Sequence, residues 1–190
     1  MKYIFSTLIC LTLSLSAIAQ EGGMRVYAGS TSLVNNDIIA NPAGYSHSGF
    51  HIGVDGRLMS GGMAFLVGGR YTSVSSTAVK DFKLTGHEST LSVMNGRAGL
   101  DISIYSFTSF ARIRTKALAS FDIVLSQSST AMPPQGYTLN DGWLGLVTGL
   151  GADIGPAIID IEYEFGIVNG YNKKKKSTFN SLSFSIGFFF

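Results

Sequence analysis

Charged side chains recur at every second position in two short stretches of this sequence. The stretch at residues 112–116 reads RIRTK, and the stretch at residues 159–164 reads IDIEYE. Alternate residues of a β-strand point to the same face, so each stretch predicts a strand with like charges on one side. Guanidinium, ammonium and carboxylate groups on facing surfaces form buried ion pairs when their hydrogen bonds are satisfied. Ion pairing is therefore the first chemistry that the sequence suggests.

The same alternation extends this charged face to other parts of the chain. The predicted inward set is Arg25, Asp55, Arg57, Arg70, Arg97, Asp101, Arg112, Arg114, Lys116, Asp122, Asp160, Glu162 and Glu164. The signs are nearly balanced, as a closed interior requires, because an unpaired buried charge is costly. We predict a filled interior in which the basic triple at 112–116 meets acidic residues across the lumen. The alternative is a narrow ion path gated by these charges.

Three histidines offer the other candidate chemistry: His47, His51 and His87. Hydroxyl and carboxyl groups lie nearby in the sequence, on Ser46, Ser48, Glu88 and Ser89. A hydrolase would need one histidine beside a serine and a carboxylate, and a metal site would need further ligands in a fixed geometry. No spacing selects a nucleophile or a ligand set. We therefore predict no catalytic residue, no cofactor-binding residue and no metal ligand.

A run of four lysines lies near the carboxyl end of the chain: Lys173, Lys174, Lys175 and Lys176. One interpretation is a solvated loop. The other is a contact for an anion such as the phosphates of lipopolysaccharide, because clustered lysines attract phosphate as point charges.

Period-two alternation indicates which elements must position these residues. Apolar residues alternate with small or polar ones in eight stretches: 24–31, 50–58, 63–71, 94–104, 111–123, 143–153, 157–168 and 179–190. Such alternation is the signature of strands with one apolar face. The connections between these stretches alternate between long and short, with 73–89 among the long ones. Long outer loops and short periplasmic turns are typical of an up-and-down barrel in an outer membrane.

The composition favours a membrane barrel over a water-soluble sandwich. Of the 190 residues 45% are hydrophobic and only 14% are charged, and glycine occurs 23 times. Soluble domains average about 25% charged residues. In lipid every backbone polar group must be paired, and only a closed sheet has no unpaired edge. We predict an all-β, eight-stranded antiparallel up-and-down transmembrane β-barrel. A secreted lipocalin-like or sandwich domain is the alternative.

The amino-terminal residues predict export. Lys2 precedes a short apolar stretch that ends in Ala17-Ile18-Ala19, a small-x-small cleavage pattern. We predict a signal peptide at 1–19 and a barrel domain at 20–190, with both ends of the mature chain in the periplasm. The single cysteine, Cys10, lies in the signal peptide. The nearly neutral mature chain argues against nucleic-acid binding.

The pattern resembles the PorT-like outer-membrane β-barrel family of Bacteroidota. Four segments carry the resemblance: GFHIGVDGRLMSGGMAFLVGGRYTS, GLVTGLGADIG, IDIEYEFGIVNGY and LSFSIGFFF. The fold is also similar to the small OmpA/OmpX barrels. The resemblance implies a location in the cell outer membrane and provides no catalytic motif. It also implies that the aromatic end of the chain, at Phe184, Phe188 and Phe190, is similar to the signal that the barrel-assembly machinery recognises.

The predicted function is a structural or interaction role in the cell envelope. Outer loops would contact outer-membrane lipid or partner proteins, and the lumen would be filled and polar. Two alternatives remain open at this point: an accessory component of a secretion or envelope-assembly system, and a narrow channel.

Overall fold

The computed structural model describes residues 22–35, 47–60, 62–80, 83–107, 111–127, 140–170 and 178–190. Within these ranges, no helix is long and apolar enough to cross a membrane. The strands are β1 (Gly22–Asn35), β2 (His47–Ser60), β3 (Met63–Lys80), β4 (Lys83–Ser106), β5 (Ala111–Gln127), β6 (Gly142–Ile154), β7 (Ala157–Gly166) and β8 (Phe179–Phe189).

The eight strands form one closed antiparallel barrel in which each strand pairs with its neighbours in sequence. Closure is made by β1 and β8, whose register places Val26 opposite Phe188. Beyond the last residue of β8, the amide of Met24 donates to the carbonyl of Phe190 at 3.1 Å, and the Phe190 amide donates back at 2.8 Å. The predicted eight-stranded barrel is thus confirmed.

The two faces of the barrel wall differ in polarity because side chains alternate along every strand. Large apolar side chains point outward and are exposed, as Leu150 is at 59% and Ile161 at 53%. Their neighbours Asp160 and Glu162 point inward and are buried. A molecule with an apolar exterior and a charged interior is inverted relative to a soluble domain, and a hydrocarbon environment matches that arrangement.

The hairpin of β3 and β4 corrects one of the sequence predictions. The stretch 73–89 was predicted to be a loop, but its residues outside 81–82 continue the two strands, with Val74 opposite Leu91 and Lys80 opposite Lys83. The stretch is rich in serine and threonine, so its sequence lacks the regular alternation of large apolar residues that marked the other strands. Backbone pairing uses main-chain groups and continues where that alternation stops. The regular alternation of long and short connections therefore fails here.

Two ends of the barrel are distinguished by the connections that they carry. The loop end carries the connections around 36–46, 81–82, 128–139 and 171–177, and the turn end carries those around 61–62, 107–110 and 155–156. Gly22 and Phe190 also lie at the turn end, since β1 begins there and β8 ends there.

Buried apolar side chains pack together inside the barrel near its loop end, which sequence alternation did not predict. The cluster consists of Leu33, Val74, Leu91, Val93, Trp143 and Phe179. The rings of Trp143 and Phe179 lie 4.9 Å apart. We call this cluster the loop-end plug. A second apolar group, formed by Leu66, Leu118 and Val147, lies deeper in the lumen, so the interior is less uniformly polar than predicted.

Candidate functional site: a buried charge network

The structure places all thirteen predicted inward charges on the lumen side of the barrel wall. Twelve of them are buried. The side chain of Arg112 is the exception, at 24% exposed, because it lies near the turn end. The thirteen residues come from six strands that the sequence separates widely, and the barrel brings all of them except Asp122 into one continuous set of ion pairs.

Asp153 is the acidic centre of the network at the turn end. Its carboxylate accepts from Arg112 Nε at 2.6 Å, from Arg114 Nε at 2.6 Å and from Arg57 Nη1 at 3.0 Å. Asp101 accepts from Arg114 Nη1 at 2.9 Å. Asp153 was not in the predicted set, although alternation put it on the inward face of β6. Asp153 is the last residue of the predicted strand stretch 143–153 and borders the short connection that follows.

In the middle of the lumen, Asp55 joins two guanidinium groups from opposite sides. Arg25 Nε donates to Asp55 Oδ2 at 2.8 Å, and Arg97 Nη2 donates to the same oxygen at 2.6 Å. The Tyr27 ring lies beneath the Arg97 guanidinium, 4.9 Å from its central carbon. A planar guanidinium can stack on an aromatic face while its edge binds a carboxylate. The three charges are therefore held in fixed orientations.

Strand β7 supplies the acidic partners on the other side of the middle lumen. Lys116 Nζ lies 2.7 Å from Glu162 Oε1 and 2.9 Å from Asp160 Oδ2. Arg114 Nη2 donates to Asp160 Oδ1 at 2.6 Å, and Arg97 Nη1 donates to Glu162 Oε2 at 2.8 Å. These contacts link β5 and β4 to β7, and neither strand is a neighbour of β7 in the sheet.

Inward-facing glycines on β6 leave the space in which side chains of β5 contact side chains of β7. A Cβ atom at Gly151 would lie 2.7 Å from Arg114 Cζ and would also overlap the Asp160 carboxylate. A Cβ atom at Gly145 would lie 2.6 Å from both Glu164 Oε1 and Ser120 Oγ. The basic residues of β5 and the acidic residues of β7 thus pair directly across β6. Arg112, the third member of the basic triple, pairs with Asp153 on β6 itself.

Nearer the loop end the network contains fewer positive charges. Arg70 Nη1 donates to Glu162 Oε2 at 3.3 Å, and Arg70 Nη2 donates to Glu164 Oε2 at 3.2 Å. Asn95 Nδ2 donates to Asp122 Oδ1 at 3.0 Å. No ion pair involves Asp122 among the residues that the structure describes.

His51 is a buried lumen residue whose two ring nitrogens contact hydroxyl groups. Nδ1 lies 2.7 Å from Thr31 Oγ1, and Nε2 lies 2.8 Å from Ser185 Oγ. A serine therefore contacts a histidine here, yet neither described contact of the ring is with a carboxylate that would orient it as in a hydrolase triad. The side chains of His47 and His87 lie outside the described residues. In the described part of the chain, no cluster of three or more His, Cys, Asp or Glu side chains is arranged to hold a metal ion.

Of the remaining predicted sites, the three phenylalanines lie in β8 or directly after it, and the others lie outside the described residues. Phe184, Phe188 and Phe190 all point outward and are exposed. Lys173, Lys174, Lys175 and Lys176 lie outside the described residues, as does the predicted signal peptide at 1–19.

Comparisons with known proteins support the fold and leave the family open. Neither a protein-family model nor a curated protein sequence matches this chain. Among solved structures, Neisserial surface protein A matches with a TM-score of 0.55 and 16% identity, over 88% of this chain and 97% of that protein. Ail, the attachment invasion locus protein of Yersinia pestis, solved with the heparin analogue sucrose octasulfate, matches with a TM-score of 0.49 and 12% identity, over 90% of this chain and 100% of that protein. LpxR from Salmonella typhimurium matches with a TM-score of 0.36 and 8% identity, over 88% of this chain and 100% of that protein.

The class of protein follows from the barrel and from the first of these matches. The chain has the fold of the small eight-stranded outer-membrane barrels, consistent with the predicted OmpA/OmpX-like architecture. The comparisons do not support the more specific PorT-like family.

Proposed function

We propose that this chain is an exported outer-membrane protein with a closed, rigid lumen and a structural or interaction role in the cell envelope. Residues 1–19 would direct its export, and both ends of the mature chain would face the periplasm. The loop end would then face outward and contact lipid or partner proteins. The proposal includes no enzymatic activity, because the described ring contacts of His51 lack a carboxylate partner.

The observation that carries the proposal is the occupancy of the lumen by paired charges. With Asp153 included, the described lumen has seven basic and seven acidic side chains, and all of them except Asp122 form ion pairs: Arg25, Arg57, Arg70, Arg97, Arg112, Arg114 and Lys116 against Asp55, Asp101, Asp122, Asp153, Asp160, Glu162 and Glu164. An eight-stranded barrel is just wide enough for side chains to fill its interior. A hydrated ion would have to break several of these pairs at once, which opposes conduction.

The loop-end plug supports the same proposal independently of the charges. Trp143, Phe179 and Leu33 are buried in the plug, and an apolar constriction resists wetting and ion passage. Both barriers would have to open for a current to flow. A narrow channel is therefore the less favoured function, and the loops are the better candidates for activity.

A planar-bilayer measurement tests the closed lumen. The mature chain is inserted into a bilayer in 1 M potassium chloride, with an open porin as the positive control for the assay. We expect no current steps above the bare-membrane leak. Discrete steps that increase in proportion to salt concentration would contradict the proposal and favour the channel.

A deletion strain separates a stand-alone role from an accessory one. Loss of barrier function towards detergents and dyes, with secretion unchanged, would support the structural role. A secretion defect with an intact barrier would instead favour the accessory component of a secretion or envelope-assembly system.

A further inference from the structure

The outward face of the barrel wall changes from apolar to hydroxyl-bearing side chains near the loop end of β1–β4. In β2, the exposed Ser48 lies on the loop side of Phe50 and Ile52. In β1, the outward residues nearest the loop end are likewise Ser30 and Ser32. Six outward hydroxyl side chains on these four strands are exposed or partly exposed: Ser30, Ser32, Ser48, Ser73, Ser75 and Thr90. We call these six residues the hydroxyl face.

The strand register aligns four residues of the hydroxyl face in one row. Ser32 pairs with Ser48, Ser48 pairs with Ser75, and Ser75 pairs with Thr90. Because neighbouring strands lie about 4.7–4.9 Å apart, the row extends about 14 Å across the sheet. A hydroxyl group both donates and accepts hydrogen bonds. The wall thus presents a regular array of donors and acceptors on its outer side.

The inner side of the wall behind this row is apolar. Val74 lies between Ser73 and Ser75, and Leu33 follows Ser32; both apolar side chains are buried in the loop-end plug. An apolar inner face and a polar outer face are typical of an antiparallel sheet whose outer face is solvated. The apolar belt nearer the turn end has the opposite arrangement. The hydroxyl face therefore lies outside the hydrocarbon layer.

The opposite side of the barrel remains apolar close to the loop end. Its outward residues there include Leu125 of β5, Leu144 of β6 and Ile167 just after β7, and all three are exposed. Hydrocarbon that covers these residues reaches the same end of the barrel as the hydroxyl face. The hydroxyl face therefore borders the hydrocarbon layer, at the level of the lipid headgroups.

Phe50 provides an exposed aromatic ring at the edge of the hydroxyl face. The ring is 57% exposed, and Phe50 is the register partner of both Ser30 and Ser73. The ring of Tyr71 lies 6.2 Å away. Aromatic rings are enriched at the headgroup level of membranes. A sugar ring has an apolar C–H face that can pack on an aromatic ring, and hydroxyl groups that can exchange hydrogen bonds with serine.

We propose that the hydroxyl face binds the uncharged sugar headgroups of outer-leaflet lipids. The inference rests on the outward orientation of the loop end in the proposed function. Residues 30–32, 48–50, 71–75 and 90–94, which form this region of the described wall, include no charged side chain. Phosphate groups are typically bound by arginine or lysine. An uncharged sugar therefore matches the hydroxyl face better than a phosphate does.

Urea unfolding of the mature barrel in two kinds of lipid vesicle tests this surface. One kind contains phosphatidylcholine. In the other, an increasing fraction is replaced by digalactosyldiacylglycerol, an uncharged galactolipid, with the same acyl chains. Trp143, the single tryptophan of the sequence, reports unfolding through its fluorescence. Because a ligand that binds only the folded state stabilises it increasingly with concentration, we expect the midpoint urea concentration to rise with the fraction of galactolipid.

Three variants identify the residues responsible. Ser48→Ala combined with Ser75→Ala removes two neighbouring hydroxyl groups of the row and should reduce the rise in midpoint severalfold. Phe50→Leu keeps an apolar side chain but removes the ring, and it should also reduce the rise, which gives a second readout if the double variant does not refold. Thr148→Ala is the matched control, because Thr148 is an exposed outward residue of β6 away from the hydroxyl face. It should keep the full rise.

Results of three kinds would overturn the sugar-binding surface. The first is a wild-type midpoint that does not depend on the galactolipid. The second is a rise that survives unchanged in the double variant, which would assign the effect to the bilayer as a whole. The third is a midpoint that depends on the ratio of protein to lipid and not on the galactolipid, which would assign the hydroxyl face to contact with a second copy of the chain.

The same measurement separates this inference from the proposed function on which it rests. A wild-type chain that inserts into neither kind of vesicle would contradict the membrane barrel and the hydroxyl face together. Insertion into both kinds without a response to the galactolipid would contradict the hydroxyl face alone.

Discussion

At the scale of single residues, the inward glycines of β6 decide which charges can meet. Gly151 and Gly145 leave room for side chains of β5 to reach those of β7, as the contact of Arg114 with Asp160 shows. Each ion pair needs close contact to offset the cost of removing its charges from water. Small residues on one strand are therefore as necessary to the network as the charges on its neighbours.

The substitution Gly151→Ala tests this requirement. A methyl group there would overlap the Asp160 carboxylate and lie 2.7 Å from Arg114 Cζ, so the pair must separate or the strand must shift. We expect a loss of about 1–3 kcal/mol in the free energy of unfolding, the usual cost of overpacking a filled interior. Urea unfolding of the refolded barrel, followed by Trp143 fluorescence, measures it.

Gly56→Ala is the matched control for this substitution. Gly56 also lies in a strand, and the nearest atom to its added Cβ would be Val67 O at 3.7 Å, an ordinary contact. We expect an unchanged or slightly higher stability, because alanine restricts the unfolded chain more than glycine does. Equal losses in the two variants would show that the cost comes from the backbone and not from the ion pair.

Much of the network could be predicted residue by residue from alternation, because strand geometry fixes the face to which each side chain points. Asp153 was missed because it lies at the carboxyl end of β6. At the end of a strand, the sequence does not distinguish a strand residue from a residue of the following turn. The buried Leu66, Leu118 and Val147 were not singled out, since an apolar side chain facing a mixed lumen leaves no signal in a pattern of apolar and polar positions.

At the scale of elements, β3 and β4 are longer than the wall that their neighbours form. The pairing of β3 with β2 ends at Ser76 opposite His47, and the pairing of β4 with β5 ends at Leu91 opposite Gln127. The two strands continue past these points as a two-stranded ribbon to Lys80 and Lys83. The loop predicted at 73–89 is instead mostly paired backbone. Sequence alone could not show this, because a pair of strands rich in serine and threonine has the composition of a loop.

A cysteine pair tests the register of β3 and β4 at the base of this ribbon. Ser75 and Thr90 are direct partners in the ladder, and side chains directly opposite each other lie about 4.5–5.5 Å apart at Cβ. We expect Ser75→Cys with Thr90→Cys to form an intramolecular disulfide on mild oxidation. A mobility change on unreduced gels, reversed by reductant, measures it.

The control pair shifts one cysteine by a single residue. Leu91 pairs with Val74 and points into the lumen, so Ser75→Cys with Leu91→Cys places the two thiols on opposite faces of the sheet. This pair should remain reduced under the same conditions. Comparable oxidation of both pairs would indicate a mobile loop and would contradict the ribbon.

At the scale of the whole molecule, the barrel combines an apolar exterior with a charged interior. The two are linked because side chains of each strand alternate between the outside and the lumen. The outward residues of β7, among them Ile159, Ile161 and Phe165, form part of an exposed apolar belt. Between them, Asp160, Glu162 and Glu164 turn inward to the basic residues of the lumen. A one-residue slip of β7 would place three carboxylates in the belt and three apolar residues in the lumen. The strand register is therefore determined by the need to keep apolar side chains on the outside of the barrel and charged side chains in the lumen.

Arginine substitutions at two depths of the belt test whether hydrocarbon surrounds it. Ile161 lies near the middle of β7, whereas Ile154 ends β6 beside the turn end. In a lipid-embedded barrel an outward arginine costs about 2–4 kcal/mol at the bilayer midplane and about 0–1 kcal/mol near the interface. We expect Ile161→Arg to lower the free energy of unfolding by about 2–4 kcal/mol and Ile154→Arg to lower it by about 0–1 kcal/mol. Urea unfolding in phospholipid vesicles measures both values. Both positions are similarly exposed, so water around the belt would make the two substitutions nearly equal in effect. That equality would contradict the membrane-spanning barrel.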